Sequence, residues 1–362
     1  MRGIYHLFLL ALFTGACFSC QNAIRESSSI IELDLGKVLS EEVVMTLDNI
    51  STSVETVALE TNDKALIKGI DDVILNDKYI LILEYRNCYL FDRTGKFLRS
   101  IGTSGQGPNE FTTISNAFLK EDEVILFDGS AKRILRFGID GEYIDGVKLP
   151  TNIGYLSSLS ENQFVGYIGN VSGEEPSRLK LFDDKGTVLD SIPYPIKFED
   201  RGPVVVHVYN ECWLYSYNNE LRMKELFYNT IYKINENFQL DTLYTIDLGT
   251  EALDPAMRYQ LTDPRQSPFT GKKVITTVFE TDRYLFLLEM RQREAVFCYD
   301  KKGDTLTNVV LQYNAPEKTM FEKEVFIPKY ISQDNRILIT FEESLDVEEE
   351  ANPILVLVTL KE

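Results

Sequence analysis

A short hydrophobic run, a polar turn and a second hydrophobic run recur six times along this chain of 362 residues. The first runs read YILILE (79–84), VILFD (124–128), FVGYI (164–168), WLYSY (213–217), YLFLLE (284–289) and ILITFE (337–342). Their partners read CYLFD (88–92), ILRFG (134–138), LKLFD (179–183), IYKIN (231–235), VFCYD (296–300) and ILVLVT (354–359). Runs of this length, rich in β-branched and aromatic residues and bounded by turn residues, are strand pairs. A strand-only repeat of roughly 40 to 50 residues implies sheets set radially about an axis. The expected fold is therefore all-β: a six-bladed β-propeller of four-stranded antiparallel blades.

The remaining strands of each blade follow from what flanks the pairs. After most pairs comes a tight turn and another short strand, as in RTGKFLRSI (93–101), IDGEYIDGV (139–147), DKGTVLDSI (184–192) and KKGDTLTNVV (301–310). Gly95, Gly141, Gly186 and Gly303 sit where such turns need a positive φ, and Asp92, Asp183 and Asp300 sit where a side-chain acceptor caps them. Inner strands lining the axis are expected before each pair, at 67–75, 114–120, 155–160, 204–209, 272–280 and 325–332. The sixth pair ends at the carboxyl terminus with no outer strand left. The alternating segment SIIELDL (29–35) is expected to close the ring against this last blade and so remove an exposed sheet edge.

Residues 1–20 read MRGIYHLFLLALFTGACFSC: one Arg, an apolar run, then small residues ending in cysteine. This is the pattern of a secretion leader, not of a fold element. A cysteine directly after small residues is where a bacterial lipoprotein is acylated, here Cys20, with Cys17 as the alternative. The expected organisation is a signal peptide at 1–19, a polar tether at 20–28 and the propeller at 29–362. The implied location is the outer membrane, facing the periplasm or the cell surface. Cys88, Cys212 and Cys298 fall in or beside strands, where a thiol packs as a small hydrophobe.

Charge narrows the partners. The formal net charge is −19, which argues against nucleic acid, whose phosphates must be met by Lys and Arg. A dense acidic run, EESLDVEEE (342–350), lies between the last two strands and reads as a solvated loop.

The stretch 58–150 carries a sharper signal, above all FDRTGKFLRSIGTSGQGPNEF (91–111). It resembles the six-bladed β-propeller lipoproteins abundant in Bacteroides and relatives, which are similar in turn to NHL-repeat propellers. The resemblance implies an exported, lipid-anchored propeller and assigns no reaction. A propeller fold by itself does not choose among binding, scaffolding and lyase chemistry.

Few motifs carry chemistry. The glycine-rich loop GTSGQGPNE (102–110) has neither the Lys-Ser/Thr ending of a phosphate-binding loop nor a strand-to-helix setting, so it reads as a blade crossing. Gln106, Asn109 and Glu110 would be its ligand-binding side chains if it faces the mouth. His207 is the one histidine beyond the leader, which excludes a multi-histidine zinc site, and it is the best single acid–base candidate. The acid doublets 71–72 and 183–184 place neighbours on opposite faces of a strand and do not make a carboxylate dyad. Two long connections, 193–203 and 250–271, carry Arg201, Arg258 and Arg265 as binding candidates, and Arg222 and Arg291 lie near them. Tyr209, Trp213, Tyr215, Tyr217 and Tyr228 crowd the fourth blade. No cofactor or metal motif is present in the sequence, although an axial cation among channel oxygens stays open. The function expected is a non-enzymatic module binding a glycan, a peptide or an envelope protein. The alternative is a lyase or hydrolase with an axial site near His207.

Overall fold

The computed structural model describes residues 29–198, 202–208, 210–289, 295–314, 324–342 and 351–362. Six sheets follow one another along the chain. Their innermost strands are Asp72–Leu75, Asn116–Leu119, Tyr155–Ser160, Cys212–Tyr217, Thr277–Glu280 and Tyr330–Ile331. Each blade then meanders outward in antiparallel steps. In the first, Asp72–Leu75 pairs with Tyr79–Glu84, that with Asn87–Asp92, and that with Phe97–Ser100. The innermost strand of the first blade packs beside those of the second and the sixth, which makes the ring a six-bladed propeller.

The core is divided among the gaps between blades. Leu81, Leu83 and Leu90 of the first blade meet Val124, Leu126 and Leu135 of the second. Their sequence neighbours Ile80, Ile82 and Phe91 point the other way and meet Ile339, Leu355 and Leu357 of the sixth. A middle strand is thus buried on both faces, and this is why YILILE is an unbroken apolar run rather than an alternating one. Each such side chain contributes about 2 kcal/mol by leaving water.

An N-terminal strand does close the ring, but it is a later one than 29–35. Ser51–Ala58 runs antiparallel along Ile354–Leu360 of the last blade, with Val57 opposite Leu355. The expected segment, Ile31–Asp34, instead adds a fifth, parallel strand to the outside of the fourth blade, opposite Tyr244–Asp247. Leu33 and Leu35 are buried there among Tyr244, Ile246 and Leu248. The chain next lays Glu42–Thr46 parallel to Thr305–Gln312 on the fifth blade and only then reaches the sixth. Ser51–Ala58 reads STSVETVA, an outer strand with one side in water, so its polarity concealed it.

The fourth blade is also shifted relative to the sequence expectation. Cys212–Tyr217 is its innermost strand, and the second is Glu220–Glu225, reading ELRMKE. Asn218 and Asn219, at φ 51° and 60°, form the tight turn between them. Residues 202–208 form no strand. Tyr155–Ser160 spans its expected positions in full, and the other inner strands match theirs in shortened form, Tyr330–Ile331 being the shortest.

Turn chemistry follows the repeat closely. The Asp92 carboxylate accepts from the amides of Thr94 and Lys96, Asp183 from Lys185 and Thr187, and Asp300 from Lys302 and Gly303. Gly95, Gly141 and Gly186 adopt φ of 85°, 87° and 78°. Gly303 does not, since Asp304 takes the left-handed position at φ 48° in its place. Cys88, Cys212 and Cys298 are free and buried. No helix among the described residues is long and apolar enough to cross a membrane. The leader with Cys17 and Cys20, the tether, and most of the acidic run lie outside the described residues.

Candidate ligand-binding mouth

At the end of the ring where the inner strands begin lies a cavity of about 1570 Å³. Every blade contributes the start of its inner strand: Asp72, Asn116, Tyr155, Trp213, Thr277 and Tyr330 all line it. A smaller hollow of about 310 Å³, lined by Ser157, Ser158, Ser160, Ser216 and Gln333, marks the opposite end of the axis.

The shape of this mouth is fixed by acids that close the second strands. Glu84 accepts from the amides of Lys68 and Gly69 at 2.6 and 3.1 Å, pinning the loop that leads into the first inner strand. Asp128 does the same in the second blade, accepting from Thr112 at 2.6 Å and Ala131 at 2.9 Å. In the fourth blade the matching Glu225 pairs with Arg178 from the third, both side chains buried. Glu84 and Asp128 are the last letters of YILILE and VILFD, whereas Glu225 ends ELRMKE, a strand with no apolar run to announce it.

Above the fourth blade the two long connections meet. Arg258 sits on the short 3₁₀ turn Pro255–Tyr259 and grips Glu211 through both carboxylate oxygens, at 3.0 and 2.8 Å. Its Nη2 also donates to the Val206 carbonyl at 2.8 Å, and its guanidinium lies 4.4 Å from the Phe227 ring centroid. Gly202 donates to the Tyr259 carbonyl, and Phe198 stacks on the Tyr259 ring at 4.5 Å. Residues 202–208 are thereby strapped across one side of the mouth. His207 lies on this strap, exposed and facing the cavity, rather than on a channel-facing strand as its sequence context implied.

Deeper in, the environment is aromatic and short of positive charge. Burial pushes the Asp72 carboxyl up to about 6, with the Val73 amide opposing and the Asp71 charge adding to the rise. The Tyr155 and Tyr330 hydroxyls are held above their ordinary range by burial first and by the Asp72 charge second. Tyr155 and Trp213 place their rings 6.4 Å apart. Burial drives the Cys212 thiol far above its usual value, so it is no thiolate nucleophile.

The other sequence candidates are dispersed. Gln106 and Asn109 are exposed on the crossing between the first two blades, away from the cavity lining. Glu110 folds back onto its own loop, accepting from the Gly107 amide at 2.7 Å. Arg133 fastens that loop through the carbonyls of Gly107, Pro108 and Glu110. Arg265 is exposed and paired with Asp263 two residues away. Arg201, Tyr209 and Arg291 lie outside the described residues. Tyr215, Tyr217 and Arg222 serve the seam between the fourth and fifth blades, where Glu280 accepts from Tyr215, Arg222, Tyr244 and Lys301. Sequence reasoning passed over Asn116, Tyr155, Thr277 and Tyr330. Their shared signal is position, at or beside the first residue of each inner strand. Among the described residues, no group of three or more His, Cys, Asp or Glu is arranged to hold a metal ion.

A family described as a domain of unknown function, DUF4934, matches residues 30–359. The chain belongs to this family. Among solved structures, this DUF4934 propeller is similar to a protein of Bacteroides fragilis described as exported, at 17% identity and a TM-score of 0.69. The match covers 92% of this chain and 100% of that one. It is also similar to a DUF4221 family member from Bacteroides vulgatus, at 11% identity and a TM-score of 0.50, covering 86% and 97% of the two chains. These likenesses show the fold. No curated protein matches the chain in sequence.

Proposed function

We propose that this protein is an exported, lipid-anchored binding module whose axial mouth captures a polar ligand, a glycan or a segment of peptide, at the bacterial cell envelope. The observation that carries this reading is the cavity of about 1570 Å³ walled by all six blades. A ligand-sized cleft with a few polar groups among aromatic rings, set on a rigid scaffold, is where binding normally resides. Tyr155, Trp213 and Tyr330 offer ring faces, and Asn116, Asn152 and Thr277 offer hydrogen-bonding groups.

The ionisable groups favour holding a ligand over turning it over. Glu211 and Arg258 are locked to each other, and the Cys212 thiol is held protonated by burial. Envelope location is supported by the leader ending at Cys20 and by likeness to an exported Bacteroides fragilis protein. A lyase or hydrolase reading rests on His207, which faces the cavity beside the Val206 carbonyl that Arg258 holds. Under that reading His207→Ala abolishes turnover and leaves binding in place.

Two measurements test the proposal. Calorimetric titration against glycan and peptide panels should find a ligand whose affinity falls at least about tenfold in Tyr155→Ala and in Thr277→Trp, which projects a bulky ring into the cavity. A ligand bound equally by all three proteins would remove the mouth from the account. Cys20→Ser should move the protein from the membrane to the soluble fraction of cells. Retention on the membrane in both Cys20→Ser and Cys17→Ser would refute the anchor.

A further inference from the structure

The axial floor of the mouth has acceptors left over, and among the described residues no cation pairs with them. Asp72, at the head of the first inner strand, accepts only a short-range bond from the Val73 amide, at 2.8 Å, among the described residues. The neighbouring charge it feels is another carboxylate, Asp71. Asn116, from the second blade, is 4% exposed. Its amide nitrogen donates to the Leu156 carbonyl at 2.7 Å, while its Oδ1 is buried with no partner among the described residues. A buried acceptor in that state is unfavourable until a donor arrives.

Two nearby donors are turned elsewhere. The Tyr330 hydroxyl donates to the Ile70 carbonyl at 3.1 Å. The Lys329 ammonium, exposed at the edge of the same cavity, lies 3.9 Å from the Phe341 ring centroid and forms no ion pair with Asp72. Arg258 is held by Glu211, which leaves Asp71, Asp72 and Glu175 as the lining carboxylates outside that pair. Tyr155 and Trp213 present ring faces to the same space, and such faces attract a cation. The formal charge of −19 adds a long-range field of the same sign.

We infer that this floor receives a primary ammonium group of the ligand, with Asp72 as its counter-ion and Asn116 as a second acceptor. The inference rests on the mouth being the binding site proposed above. A primary ammonium brings three N–H donors and a positive charge, so it can pair with the Asp72 carboxylate and still offer a donor to Asn116 on the adjacent inner strand, once that side chain turns its oxygen outward. A neutral hydroxyl supplies one donor and leaves the carboxylate uncompensated. The shared chemistry can come from an amino sugar or from the free amine of a peptide.

The test uses two matched pairs of probes with the full chain: glucosamine against N-acetylglucosamine, and glycinamide against N-acetylglycinamide. Each acetyl derivative loses the charge and gains an acetyl group, so the Asp72→Asn variant separates charge from bulk. At about pH 7.5 at least one free amine should bind at least about tenfold more tightly than its acetylated partner, the value of one charge-assisted hydrogen bond. The pair that shows the preference identifies the source. Asp72→Asn, isosteric and without the charge, should abolish the preference while still binding the acetylated probe. Equal affinity within both pairs, an unchanged preference in Asp72→Asn, or displacement of the amine by calcium chloride would each overturn the inference. Acetylated probes that bind and are lost in Thr277→Trp would leave the mouth as the site and remove only the ammonium. No binding of any probe would overturn the inference.

Discussion

Replacing Glu280 by Gln should loosen the seam between the fourth and fifth blades by about 3 kcal/mol. The Glu280 side chain is fully buried and accepts from the hydroxyls of Tyr215 and Tyr244, each at 3.0 Å, from Lys301 at 2.7 Å and from Arg222. Gln keeps one acceptor, loses the charge and turns an N–H₂ toward groups that are themselves donors. Removing one partner from a buried charge pair costs about 3–5 kcal/mol, because the remaining charge is stranded. Here two relays soften that cost. Arg222 also reaches Glu220 at 3.4 Å, and Lys301 donates to the Thr281 carbonyl at 2.7 Å, so the lower end of the range applies.

Urea unfolding followed by Trp213 emission reads this seam directly, since the indole N–H donates to the Val278 carbonyl at 2.9 Å. Adding Arg222→Met to Glu280→Gln should recover part of the loss, because the stranded guanidinium is gone. A Glu280→Gln protein within about 1 kcal/mol of the parent, the value of an exposed ion pair, would refute the reasoning.

Lys224 gives a pH-dependent counterpart on the same strand. It is 1% exposed, and burial pulls its ammonium down from 10.5 to about 7, with the Glu225 charge opposing. Between these values the unfolded chain binds the extra proton, so this residue makes stability rise with pH across that window and penalises the fold fully below it. Lys224→Met should therefore stabilise the protein by about 1–3 kcal/mol near pH 6, after loss of its bonds to two carbonyls, and by less near pH 10. A variant offset that is constant with pH would show that Lys224 is not held neutral. Gly95→Ala should cost at least about 2 kcal/mol, since φ is 85° and the new Cβ would lie 2.2 Å from the Ala58 carbonyl oxygen on the closing strand. Gly303→Ala, whose nearest contact is 3.5 Å, should stay within about 0.5 kcal/mol in the same unfolding assay, and equal losses would contradict this division.

What could be read from the sequence follows from which forces leave a local trace. Burial on both faces leaves a continuous apolar run, so the second and third strands of five blades were legible. The fourth blade broke that rule because Glu220–Glu225 satisfies its buried Arg222, Lys224 and Glu225 with ion pairs and carbonyls from neighbouring blades. No local pattern announces those partners. Ring closure was legible as a need, since the sixth blade lacked an outer strand, but not as a segment: SIIELDL alternates better than STSVETVA, and both find a sheet edge. The site was the least legible part. Asp72 and Tyr330 are separated by most of the chain and meet only because the ring closes. Arg258 was picked out from a long connection that does reach the mouth and His207 from an expected inner strand that is instead a strap, whereas Arg265, farther along the same connection as Arg258, and Gln106, Asn109 and Glu110 do not line it.

Trp213 is the single tryptophan of the chain, and it lines the mouth. In the folded protein its emission therefore responds to occupancy of that cavity. The account predicts that a ligand found by calorimetry shifts or quenches this emission saturably, with the same dissociation constant by both methods. Calorimetric binding that leaves Trp213 emission unchanged would put the ligand elsewhere on the propeller and contradict the account.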